Sequence, residues 1–143
     1  MQRRQKIRGA ALALAALSAL AVTSAAPASG GATIAIRHQM RGCHSWSFNS
    51  GQFKPSLVIS VKAGTVLRIT NNDVMPHKLI QTTGPKVRLI HASMSKMASA
   101  ATLTLATKGV YRFTTKAGED YAWAASMKTA GEDNVLHLTV RVK

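Results

Sequence analysis

Leu136, Leu138, Val140 and Val142 alternate one-for-one with His137, Thr139 and Arg141. A period of two places the aliphatic set on one face of an extended chain and the polar set on the other, which a helix of period 3.6 cannot do. Similar short runs rich in Val, Ile, Leu and Thr recur along the chain, separated by Gly, Pro, Asn and Lys-Ala-Gly punctuation. Val58, Ile59 and Val61 lead into the turn Lys62-Ala63-Gly64-Thr65, and Val66, Leu67 and Ile69 follow it. Gly109 opens a run containing Val110, Tyr111 and Phe113. The pattern predicts strands near 33–38, 44–49, 56–62, 65–71, 77–82, 86–91, 101–106, 110–115 and 134–142. Many short strands at close spacing imply an all-β sandwich or barrel. The best helical candidate is 92–101, where Met94 and Met97 lie three apart, diluted by Ser and β-branched residues.

The N-terminus has a different grammar. Met1 to Arg8 carries four cations, an Ala/Leu run of 13 residues follows from Ala10 to Val22, and small residues continue to Gly31. This is the layout of a secretory signal peptide, and the apolar run is shorter than the roughly 20 residues of a spanning helix. Ala26-Pro27-Ala28 supplies an A-x-A site. The expected organisation is therefore a signal peptide at 1–28 and one domain at 29–143, exported by the general secretory route. Arg3-Arg4 resembles a twin-arginine signal, but the apolar residues expected directly after the pair are absent. Removal of Arg3, Arg4, Lys6 and Arg8, and of no acid, lowers the formal charge from +14 to +10.

Composition excludes several function classes. With 46% apolar and 17% charged residues, the body is not a disordered polybasic tail. Aromatics are few and the cations are scattered through predicted strands, so the charge does not describe a nucleic-acid groove. Four of the five acids sit in two turn-like segments, Glu119-Asp120 and Glu132-Asp133, so the rest of the surface should be positive and suited to an acidic partner. Nucleophile elbows, His-Glu-x-x-His pairs and glycine-rich phosphate cradles are all missing from the sequence, and an enzyme is not expected. The single cysteine, Cys43, can form neither an internal disulfide nor a four-thiolate zinc site.

The segment Thr70-Asn71-Asn72-Asp73-Val74-Met75-Pro76-His77-Lys78-Leu79 resembles the cupredoxins, the plastocyanin- and azurin-like copper proteins. Two further features extend the resemblance over roughly residues 45–143: the hairpin at Val58–Ile69, and Gly109-Val110-Tyr111-Arg112-Phe113, which is similar to the family's Gly-x-Tyr-x-Phe strand. The resemblance implies a cupredoxin-like Greek-key β-sandwich, with His77 as the first copper ligand and Met127 in the place of the axial methionine. The chain then departs from the pattern. Thr114 and Thr115 occupy the neighbourhood of the family's loop cysteine, and Glu119 lies near the position of the second histidine. A threonine hydroxyl stays protonated at ordinary pH and is a poor copper ligand, so the usual thiolate site is missing from its usual loop.

A replacement lies earlier, in Cys43-His44-Ser45-Trp46-Ser47-Phe48. Alternation groups His44 with Trp46 and Phe48 on what should be the inner face, with Cys43 at the strand's start on the other. A bulge near Gly42 would be needed to bring the thiol to the same side. The expected centre is copper held by His77, His44 and Cys43, with Met127 as a weak fourth contact, because thiolate, thioether and imidazole together suit copper better than a hard cation. His38, Met40 and His91 are reserve ligands. Met75 lies beside His77 but equally suits the end of the core. Met94 and Met97 are core residues before they are ligands, and His137 should face solvent. The function this implies is an extracytoplasmic copper-binding protein that carries or buffers copper, or passes electrons through a non-standard Cys/His site. The alternative is a metal-free interaction module built on the same sandwich.

Overall fold

The computed structural model describes residues 31–39, 44–117 and 135–143. Its elements are β1 (Ala32–His38), β2 (His44–Phe48), β3 (Ser56–Val61), β4 (Thr65–Asn71), β5 (His77–Thr83), β6 (Ser93–Met94), β7 (Ala100–Leu105), β8 (Gly109–Lys116) and β9 (His137–Val142). The strands form two sheets, one ordered β2-β1-β4-β7 and the other β3-β9-β8-β5-β6. Both are mixed. β1 runs parallel to β4 and β3 parallel to β9, while the remaining pairs are antiparallel. The all-β, two-sheet sandwich expected from the strand pattern is the observed architecture, and the described residues contain no helix.

The alternation read from the sequence generates the core. Ile34, Ile36, Trp46, Leu67, Ile69, Leu103 and Leu105 project from the first sheet. Leu57, Ile59, Leu79, Tyr111, Phe113, Leu138 and Val140 meet them from the second. Each fully buried aliphatic side chain contributes about 1.5–3 kcal/mol relative to exposure. Tyr111 keeps its hydroxyl satisfied by donating to the Thr107 carbonyl at 2.6 Å. The Lys62–Thr65 turn closes with Gly64 at φ 84°, a left-handed conformation that glycine adopts without a Cβ penalty.

Two sequence expectations fail. Residues 86–91 form no strand; among them only Ile90 makes an isolated bridge, to Thr102. The Gln81 side chain intercepts this segment: its Nε2 donates to the Pro85 carbonyl at 2.7 Å and its Oε1 accepts from the Val87 amide at 3.2 Å. Backbone groups that would have entered a ladder are satisfied by an amide side chain, while Val87 and Leu89 still pack against the core. Residues 92–101 are not helical either. Met94 sits on β6 opposite His77 and is fully buried, Met97 is exposed, and Ala98 turns at φ 66°. One inward methionine on a two-residue strand replaces the helical face that the Met-x-x-Met spacing implied.

A candidate metal centre at one end of the sandwich

The chain crosses from the first sheet to the second between β4 and β5, and the crossing is built by Asn71 and Asp73. Asn71 Nδ2 donates to the carbonyls of Met75 (2.9 Å) and Met94 (3.0 Å), and its Oδ1 accepts from the Asp73 amide at 2.9 Å. Asp73 Oδ1 in turn accepts from the Met75 amide at 3.0 Å. These are nested Asx turns, in which side-chain oxygens satisfy backbone donors two residues on. Backbone bonds from Asn72 to Ile36 and from Ala98 to Asn71 tie the crossing to β1 and to the turn before β7. Asn71-Asn72-Asp73-Val74-Met75-Pro76-His77 is therefore a clamp that fixes where β5 begins, and with it where His77 points.

Three histidines converge on the Asp73 carboxylate. His44 opens β2 and lies opposite His38 on β1, while His77 opens β5. Asp73 Oδ2 lies 2.6 Å from His44 Nδ1 and 3.1 Å from His77 Nε2, and Oδ1 is 3.7 Å from His38 Nδ1. The His44 and His77 rings meet edge to face, 4.7 Å between centroids, and His38 meets His44 at 6.1 Å. Asp73, His44 and His77 are buried, whereas the His38 side chain is 49% exposed. The cluster is sealed on the core side and meets water at His38.

Electrostatics fixes the proton positions. Burial pushes the Asp73 carboxyl up, but hydrogen bonds from His44, His77 and the Met75 amide outweigh it and hold the group well below the usual carboxylate range. An ionised carboxylate only accepts, so His44 donates from Nδ1 and His77 from Nε2. His77 Nδ1 is hydrogen-bonded to the hydroxyl of Thr115, 3.2 Å away on β8. Of the two threonines near the absent loop cysteine, Thr115 is the buried one aimed at the histidine.

The candidate residues distribute as follows. His44 and His77 come together, as the inward face of His44-Ser45-Trp46 and the Pro-His step imply. Cys43, Met127 and Met40 lie outside the described residues, as do 1–28 and the acidic turns. His38 joins the cluster. His91 sits on an exposed turn at φ 53°, and His137 faces solvent. Asp73 is the residue the ligand expectation omitted. Its signal was present: it is the one acid outside the two turn-like segments, four residues before His77. His38, His44 and Asp73 each present one ligand atom within 4.8 Å of the others. This nitrogen-rich donor set with one carboxylate oxygen fits a transition metal that accepts imidazole.

No protein-family model and no curated protein matches the chain. Solved structures with a similar strand arrangement include amicyanin from Paracoccus versutus, at 17% identity and a TM-score of 0.43, over 82% of this chain and 85% of that one. A purple cupredoxin from Nitrosopumilus maritimus is similar at 18% identity and a TM-score of 0.41, over 76% of this chain and 97% of that one.

Proposed function

We propose that this chain is an extracytoplasmic copper-binding protein that carries or buffers copper at the His44–His77 cluster. The observation that carries the proposal is the convergence of two buried imidazoles from different sheets, rings 4.7 Å apart, on a single carboxylate. A metal-binding histidine characteristically has its other ring nitrogen held by a carboxylate or carbonyl, which sets tautomer and orientation; Asp73 is placed for that task. Copper is favoured over other imidazole-binding metals by the sulfur available nearby in sequence. Cys43 directly precedes His44, and Met127 stands where the resemblance puts an axial methionine. When bound, copper would supply one-electron chemistry. The residues' own work is to hold the imidazoles, exclude water on the core side and keep a negative charge beside the metal.

Carriage is favoured over electron transfer because the residue that faces His77 from β8 is Thr115, whose hydroxyl gives no copper–thiolate bond. Electron transfer would need Cys43 on the metal. The export signal read in residues 1–28 supports the extracytoplasmic placement. Partners should be acidic: every exposed charged side chain among the described residues is Lys or Arg, which favours encounter with negative surfaces at low salt.

A metal-free interaction module is the second reading. It is favoured by the hydrogen-bonded closure of the cluster, in which Asp73 and Thr115 already satisfy His77 at both ring nitrogens.

The test is titration of residues 29–143 with stoichiometric Cu(II), followed by its visible spectrum, beside Cys43→Ser and His77→Ala variants, with Cu(I) affinity measured by competition. Binding lost in His77→Ala supports the proposal. An intense charge-transfer band that disappears in Cys43→Ser places the thiolate on the metal and turns the function to electron transfer. Absence of binding in either oxidation state refutes copper binding and leaves the interaction module.

A further inference from the structure

We propose that His38 and Asp73 are themselves metal ligands, completing with His44 a sulfur-free position for a divalent cation at the solvent-facing mouth of the cluster, with His38 as the ligand of entry. The inference rests on the metal-binding reading above, gives Asp73 direct ligation in place of the orienting role it has there, and adds a donor set, a class of ion and a route.

Three observations meet here. First, the ligand atoms of His38, His44 and Asp73 lie within 4.8 Å of one another, with His44 Nδ1 and Asp73 Oδ2 already at 2.6 Å. An ion that replaces the proton between those two atoms needs a tautomer shift of His44 and a widening of their separation to about 3.4 Å, the spacing of two ligand atoms at ordinary tetrahedral bond lengths. Second, the three residues differ in exposure in a graded way. Asp73 and His44 are buried, and the His38 side chain is 49% exposed. An ion leaving water can therefore meet one imidazole while still hydrated and gain the buried pair afterwards. Third, the positions are independently braced. His38 and His44 are register partners across the β1–β2 pair, and Asp73 is held by Asn71 and the Met75 amide. His77 keeps its bond to Oδ2 and orients the carboxylate from behind.

Two imidazoles and a carboxylate, with no sulfur, suit a divalent first-row ion of the Cu(II) or Zn(II) kind rather than Cu(I). A surface of otherwise unrelieved positive charge makes the buried carboxylate important. It is the only acidic side chain among the described residues.

The experiment uses Cu(II) alone and Zn(II) alone as probes, with affinities from competition against a chelator and the Cu(II) hyperfine pattern from electron paramagnetic resonance. Wild type is compared with His38→Ala, His77→Ala and the double variant Cys43→Ser/Met127→Leu. His38 is half exposed, so its removal leaves the core intact, and circular dichroism checks this. The expected result is a loss of affinity for both ions of about 10-fold or more in His38→Ala, with loss of nitrogen hyperfine coupling. Divalent affinity in the sulfur-free double variant should be retained. If wild type and His38→Ala bind Cu(II) equally while His77→Ala does not bind, the inference is overturned and the copper reading stands. Loss of divalent binding in the sulfur-free variant also overturns it. If no variant, wild type included, binds either ion, the metal reading itself has failed.

Discussion

Replacing Asp73 by Asn exchanges one carboxylate oxygen for an NH2 group in a site where that oxygen accepts from two imidazoles, at 2.6 and 3.1 Å. The retained amide oxygen still serves the Met75 amide. The NH2 group now faces two ring nitrogens that carry protons, so both histidines must change tautomer to accept from it, and the Thr115 hydroxyl must turn to accept from His77 Nδ1. Hydrogen bonds to a charged group contribute about 1.5–3 kcal/mol, against about 0.5–1.5 for neutral ones. Losing the charge on two bonds therefore costs about 2 kcal/mol, or roughly 8 °C in Tm for a domain of this size. The assay is urea unfolding of chelator-treated protein, followed by circular dichroism and repeated across pH. Because the folded carboxyl is depressed, its contribution is complete above the unfolded value of 3.8 and is lost as pH falls below it. The decline runs at up to roughly 1.4 kcal/mol per pH unit, so the gap between wild type and Asp73→Asn should shrink steadily as pH falls below that unfolded value. A gap under about 0.5 kcal/mol at pH 7, or one that persists unchanged into acid, refutes the view that an ionised Asp73 holds this cluster.

Thr115→Cys puts a thiol where a hydroxyl now meets His77 Nδ1 at 3.2 Å; Cu(II) added to this variant should develop an intense thiolate charge-transfer band, read by visible absorption. A colourless complex would show that β8 does not face the metal. Gly84→Ala should cost about 2–4 kcal/mol in denaturant unfolding. Gly84 turns at φ 102°, and a Cβ there would stand 2.5 Å from the Val110 carbonyl oxygen, which is rigid backbone.

Much of the sandwich was legible because its signal is local. The 136–142 run, the Lys62–Thr65 turn and the Gly109–Phe113 strand each specify a face or a reversal within a few residues. Where the decisive partner was a side chain rather than a pattern, sequence reasoning failed. Residues 86–91 alternate like a strand, but Gln81 captures their backbone. Residues 92–101 carry helical spacing, but only Met94 finds the core. In the candidate site, His44 and His77 could be paired from inward alternation and the Pro-His step. Asp73 stood out only as the one acid outside the two turn-like segments, and its role stayed hidden because an acid in an Asn-Asn-Asp turn has the same local appearance whether it faces water or two imidazoles. His38 was visible only as a reserve ligand, since its proximity depends on β1–β2 register. The contributions of Cys43 and Met127 belong to residues outside those described.

β9 lies between β3 and β8, parallel to the first and antiparallel to the second, although some 75 residues separate it in sequence from β3. Until it inserts, both neighbours present a bare row of amides and carbonyls, the template on which edge strands recruit other chains. The second sheet thus cannot assemble progressively from one end; it closes around the segment that is farthest away along the chain. Such long-range closure places the protein among slow folders, in the millisecond-to-second range, with a lifetime of exposed edges in which aggregation competes. A chain cut before Leu136 would be held permanently at that stage.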